Sequence, residues 1–143
     1  MGAAMAGRSD PLVSLVRLRR LQTGAARRRL AEDSARFLAA EGRAEAACAA
    51  LLTERNAVAP ADFARWIGRG IAERDRAALG ATHAAERLAE GQAALAEARV
   101  AERCLERLLQ DRASAAEARR LRKGQASADD AAARTARAGG GRG

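Results

Sequence analysis

The side chains that most often catalyse reactions or bind metals are scarce in this sequence of 143 residues. It contains one His (His83), two Cys (Cys48 and Cys104), one Lys (Lys123) and no Tyr. Neither cysteine has a Cys or His at zinc-site spacing, and Lys123 precedes Gly124 instead of ending a phosphate-binding loop. The sequence therefore predicts no catalytic residue, metal site, cofactor or small-molecule substrate, and we expect a protein that is not an enzyme.

Charge is the chemistry that the sequence does carry. Its 26 Lys and Arg outnumber 18 Asp and Glu, which gives a net charge of +8. Residues 1–30 hold seven Arg and one Asp, and residues 111–143 hold eight basic and four acidic residues. Such cationic segments could meet an acidic protein surface, a nucleic acid or an anionic membrane, or could remain solvated.

Nucleic-acid binding is the main alternative function. Arg17, Arg19, Arg20 and the run Arg27–Arg29 could neutralise phosphates. However, no aromatic residues are interleaved with them to stack on bases, and no known DNA-binding motif occurs. A helix on a membrane surface is less favoured, because the face from Leu12 to Leu21 has no Trp to anchor it at the interface.

The composition predicts long helices that depend on each other. The chain has 41 Ala, 25 Arg, 15 Leu and 11 Glu, all strong helix formers, whereas its aromatic residues are only Phe37, Phe63 and Trp66. Large apolar residues are too few for a conventional globular core or a β-sheet fold. We expect an all-α protein, a long antiparallel two-helix coiled-coil hairpin.

The pattern along the chain sets the predicted segments. Asp10-Pro11 is typical of a helix start, so a first helix should span 11–57 after a disordered 1–10. Alternating steps of three and four give seams along 16–58 and, in a second helix over 71–123, along 77–109. Residues 58–70 form a predicted tip, where Pro60 ends the first helix and Gly68 and Gly70 flank a turn. Residues 124–143 should be a mobile or partner-dependent tail.

Two further expectations follow from the hairpin. A fold-back centred near residue 64 would place Phe37 opposite Gly91 and keep Cys48 far from Cys104, so both thiols should be free and at least half-buried. Phe63, Trp66 and Ile67, in the predicted tip, either close the hairpin as a local core or bind a partner.

The arrangement resembles the FliJ/YscO family of type III secretion, which serves flagella and injectisomes. The resemblance covers residues 10 to about 137. It rests on the opening Asp10-Pro11-Leu12-Val13-Ser14-Leu15-Val16-Arg17-Leu18-Arg19-Arg20-Leu21, on Arg65-Trp66-Ile67, and on Glu117-Ala118-Arg119-Arg120 followed by Asp129-Asp130.

Members of that family are antiparallel coiled coils similar to the stalk of rotary ATPases. The resemblance implies a non-enzymatic protein whose two chain ends enter the hexameric export ATPase ring and promote its assembly and activity. It also implies binding to the cytoplasmic domain of the export gate membrane protein and to unloaded export chaperones. The residues that it assigns to the ring contact are Leu12, Leu15, Arg17, Leu18, Arg19, Arg20, Arg119, Arg120 and Arg122.

The expected location is the cytoplasm, with peripheral association to the inner membrane through the export apparatus. The sequence has no apolar stretch of the roughly 20 residues that a membrane span needs, and no secretory signal pattern. Its two cysteines lack the spacing of a disulfide framework, which is typical of a reducing compartment. The residues leave open whether the system is flagellar or an injectisome.

Overall fold

The structure, a computed structural model, describes residues 10–141 and consists there of two helices. Helix α1 spans Pro11–Ala57 and helix α2 spans Pro60–Gly139. The helices pack against each other in antiparallel directions, and the described residues include no strand. The predicted all-α helical hairpin is therefore confirmed.

Helix α1 begins and ends where the sequence predicts. The backbone amide of Leu12 donates a hydrogen bond of 3.0 Å to Asp10 Oδ1, and the backbone carbonyl of Asp10 accepts from Val13 and Ser14. Pro11 takes the first helical position, where its missing N–H removes no hydrogen bond. Apart from Asp10, the predicted disordered segment lies outside the described residues.

Helix α2 begins at Pro60, so the predicted tip over 58–70 and the predicted start at 71 are wrong. The backbone carbonyl of Ala59 accepts from the amides of Asp62 and Phe63, each at 3.0 Å. Gly68 and Gly70 lie inside the helix, and no described glycine has a positive φ. A glycine costs about 1 kcal/mol relative to Ala in a helix, which packing along the helix can offset.

Helix α2 also continues to Gly139, beyond the predicted end at residue 123. Gly124 lies within it, and the following stretch is rich in Ala, the strongest helix former. Residues 124–139 are thus helical where the sequence predicted a mobile or partner-dependent tail.

The predicted seams are the faces that the two helices bury. Every α2 seam position from Ala77 to Leu109 is buried or half-buried, and along residues 16–58 only Arg19 is exposed. The hydrophobic residues with least exposure are Leu12, Val16, Ala40 and Leu95. Most other positions on both helices face solvent, so the hairpin depends on this narrow contact.

Two glycines of α2 mark the register of the hairpin. A Cβ atom at Gly70 would lie 2.8 Å from Leu51 Cδ2, and one at Gly91 would lie 3.3 Å from Asp33 Oδ2 and 3.4 Å from Leu30 Cδ1. Gly91 therefore faces Leu30 and Asp33, and the predicted pairing with Phe37 is wrong. The displacement follows from the connection, which is only Val58 and Ala59, because α2 starts eleven residues earlier than predicted.

The chain divides into two compact units. The larger unit is Arg17–Glu102, where α1 and α2 pack through most of the seam. The smaller unit combines the start of α1, through Val16, with the part of α2 from Arg103 onward. Leu12 and Val16 are buried in this smaller unit.

Candidate functional site

The residues of the predicted ring contact belong to different units. Leu12 and Leu15 lie in the smaller unit, together with Arg119, Arg120 and Arg122. Arg17, Leu18, Arg19 and Arg20 lie in the larger unit.

In the smaller unit, the first turn of α1 is fixed along α2. Arg112 Nη1 donates to Asp10 Oδ1 at 3.2 Å, so Asp10 both caps α1 and pairs with the neighbouring helix. Leu12 is buried in this packing, whereas Leu15 keeps 46% of its surface exposed. Leu12 thus stabilises the hairpin, and Leu15 is the apolar side chain of this turn that a partner can contact.

C-terminal to Arg112, which pairs with Asp10, no described face of α2 is packed. Every described residue from 111 to 141 is exposed, although the helix continues to Gly139. We call residues 113–139 the uncovered segment of α2. Its amides are held by helical hydrogen bonds but gain no protection from buried side chains.

Four cations of the uncovered segment form a basic cluster. They are Arg119, Arg120, Arg122 and Lys123. At 100° per residue, the four side chains spread over roughly 160° of the helix circumference. Arg120 Nη1 lies 3.4 Å from Glu117 Oε2, and the other three make no hydrogen bond or ion pair with any residue that the structure describes. The interrupting Leu121, 67% exposed, points to the opposite side.

In the larger unit, two of the predicted ring-contact arginines contact other side chains. Arg20 Nε lies 3.9 Å from Glu102 Oε1 on α2, and Arg19 Nη1 donates to Gln22 Oε1 at 3.2 Å. Arg17 and Leu18 are exposed, Leu18 to 49%. Arg20 therefore contributes to helix pairing as well as to surface charge.

The aromatic residues of the predicted tip lie in the first turns of α2. Phe63, Trp66 and Ile67 are half-buried, and the Phe63 and Trp66 rings are 6.1 Å apart at 36°. The indole of Trp66 lies over Gly70, where a Cβ atom would come within 2.7 Å of it. The three side chains thus pack locally, and partner binding by their exposed parts remains a prediction.

Two polar residues, Thr23 and Asp33, are buried inside the seam, and no role was predicted for them from the sequence. Thr23 is 2% exposed, and its Oγ1 has no hydrogen-bond partner among the described residues. Asp33 is buried beside Gly91, with Arg36 Nη1 3.4 Å from its Oδ1. The sequence could have indicated them, because both are polar residues at positions of the predicted seam where apolar residues are expected.

The remaining reactive side chains are isolated. His83 is exposed, with Nδ1 3.4 Å from Glu86 Oε2, and no group of three metal-binding side chains occurs in residues 10–141. Cys48 and Cys104 are free, as predicted. They are exposed and not half-buried, because neither occupies a seam position.

Neither helix, over its described length, has a stretch apolar enough to cross a bilayer. The chain matches no family model, and the searches of curated proteins and of solved structures found no match either. Function is therefore inferred from the residues and their geometry, together with the family resemblance.

Proposed function

We propose that this protein is a non-enzymatic component of a flagellar type III export apparatus, in which it acts as the stalk of the hexameric export ATPase. The observation that best supports this role is the uncovered segment of α2, which is helical yet exposed on every side. A helix exposed all round suits a partner that surrounds it, because such a partner can bury all of its faces.

A stalk of this kind would change the ATPase without taking part in the chemistry. If the protein binds one conformation of the ring subunits more tightly than the others, it shifts the ring toward that conformation by the difference in affinity. Couplings of this type are typically about 1–3 kcal/mol, which changes a binding equilibrium by roughly 5- to 150-fold. No nucleotide-binding residue is needed on the stalk itself.

The other partners in the proposal are the cytoplasmic domain of the export gate and the export chaperones. The exposed parts of Phe63, Trp66 and Ile67 are the surface that we assign to one of them. The proposed location is the cytoplasmic side of the inner membrane, reached through these contacts.

Nucleic-acid binding is the second candidate, and the basic cluster is the observation that favours it. Phosphates need only accessible cations, and three of the four side chains in the cluster make no ion pair with a described residue. Binding of this type would be detected as a shift of duplex DNA whose affinity falls steeply with salt.

The proposed function is tested by mixing the protein with its cognate export ATPase and measuring ATP hydrolysis. We expect the wild-type protein to raise the rate and Leu15→Asp/Leu18→Asp to leave it at the basal value. Both leucines are about half exposed, so the substitution removes apolar contact surface without opening the buried seam. The matched control, Leu38→Asp/Leu52→Asp, changes two exposed leucines elsewhere on α1 and should still stimulate. An ATPase that does not respond to the wild-type protein contradicts the proposal.

A further inference from the structure

We infer that the basic cluster of α2 binds an acidic protein surface, and that this contact is mainly electrostatic. The inference rests on the proposed function for the identity of the partner, which is then the surface of the export ATPase ring that meets the stalk. It adds the chemistry of that surface and the part of the hairpin that pairs with it electrostatically, namely the basic cluster of α2.

The accessibility of the cluster is the first argument. Eight of the nine residues predicted to contact the ring are exposed. Of these, Arg20 already pairs with Glu102, and Arg19 donates a hydrogen bond to Gln22. Within the described part of the chain, Arg120 is the one member of the cluster with an acidic partner, Glu117. Arg119, Arg122 and Lys123 carry charges that no described residue balances, so an external anionic group can pair with them without breaking an existing contact.

The position of the cluster is the second argument. Among the residues that the structure describes, Arg112 makes the ion pair to the start of α1 that lies furthest along α2. Arg119 follows Arg112 by seven residues, about 10 Å along a helix. All residues of α2 around the cluster are exposed. The cluster can therefore be approached without displacing α1 from its contact with Arg112.

The side chains around the helix favour a protein over a nucleic acid. The four cations cover roughly 160° of the circumference, so a surface that pairs with all of them must curve around the helix. The exposed Leu121 faces the opposite side, and no aromatic residue occurs in 111–141 to stack on bases. A surrounding protein surface can meet both the cationic side and Leu121.

The test is a titration of the cognate export ATPase with the full-length protein at increasing salt, with hydrolysis rate as the readout. We expect the concentration for half-maximal stimulation to rise at least about tenfold between 50 and 300 mM NaCl, because exposed charge pairs are screened. Arg119→Glu/Arg122→Glu/Lys123→Glu should weaken stimulation by at least about tenfold at low salt. The neutral variant Arg119→Gln/Arg122→Gln/Lys123→Gln should stimulate hydrolysis less than the wild type and more than the triple Glu variant.

The matched control is Arg43→Glu/Arg69→Glu/Arg99→Glu, which makes the same change in net charge at three exposed cations of the larger unit. We expect it to stimulate within about twofold of wild type, and circular dichroism should show equal helicity for all variants. Stimulation that is insensitive to salt, or equal in the cluster and control variants, overturns the inference and leaves the proposed function standing. A cluster variant that loses duplex DNA binding but stimulates normally also overturns it. No stimulation by wild type overturns both.

Discussion

Single residues in the seam show that its polar positions are not equivalent. Asp33 is buried, but Arg36 lies near its carboxylate and Gly91 leaves room for it. Thr23 is almost fully buried, and its hydroxyl has no described partner. A buried hydroxyl without a hydrogen bond carries a desolvation penalty that an apolar side chain of the same shape avoids.

Thr23→Val should therefore stabilise the hairpin by about 1 kcal/mol. Both side chains are β-branched and have similar helix propensities, so the change mainly removes the unpaired hydroxyl. Urea denaturation followed by circular dichroism measures the difference. The control is Thr82→Val, where the hydroxyl is exposed and bonded to the carbonyl of Ala78, and where we expect no gain. Equal effects at the two sites would contradict this explanation.

At the scale of the helices, two glycines that are two residues apart have opposite roles. Gly70 is buried under Trp66 and beside Leu51, and an added Cβ atom would approach both within 3 Å. At Gly68, a Cβ atom would have no neighbouring atom within 4 Å apart from the adjacent backbone of its own helix. Gly70 is required for close packing, whereas Gly68 only lowers the helix propensity.

We expect Gly70→Ala to destabilise the protein by about 1–3 kcal/mol, because the indole or Leu51 must move. Gly68→Ala should stabilise it by roughly 0.5–1 kcal/mol, the usual gain of Ala over Gly in a helix. Thermal unfolding of the two variants against wild type measures both changes. A loss of stability in Gly68→Ala, or a gain in Gly70→Ala, would show that the packing around Trp66 differs from this description.

The sequence predicts the type and buried face of each helix better than it predicts the helix ends. Helix type and buried face follow from the periodic spacing, which averages over many residues, so a single polar position such as Thr23 does not obscure it. Helix ends depend on one or two residues whose effect changes with context. Pro60 is compatible with ending one helix or starting the next, and Gly70 is compatible with a turn or with a close contact.

The candidate site was predictable only in part, for a similar reason. Counting charges identified the cationic 111–143 segment, but not which cations are balanced by a neighbour. That distinction requires the register, which pairs Arg20 with Glu102 and Arg112 with Asp10. The register in turn follows from the short connection and from Gly70 and Gly91. The seam pattern alone does not reveal it, because the alanines that recur along both helices fit more than one register.

For the whole molecule, protection against local opening should be unequal along α2. From Gly70 to Leu109 the helix has a buried or half-buried residue on each turn, so opening it also exposes the seam. In the uncovered segment, opening breaks helical hydrogen bonds and the exposed Arg120–Glu117 ion pair but no buried contact among the described residues. The free energy of local opening is lowest where few buried contacts are lost.

Limited trypsin digestion should therefore cut first in the uncovered segment, after the residues of the basic cluster and after Arg134 or Arg137. Arg27–Arg29 provide an internal control, because they are also exposed but belong to the part of α1 that packs on α2. When opening is fast relative to cleavage, the cutting rate follows the population of the open form. We expect cleavage in the uncovered segment to be at least about tenfold faster than after Arg27–Arg29, as measured by mass spectrometry of the early fragments. Equal rates at the two places would mean that the seam gives α1 no more protection than an isolated helix has, and the hairpin would then be too weakly paired to present α2 as a stalk.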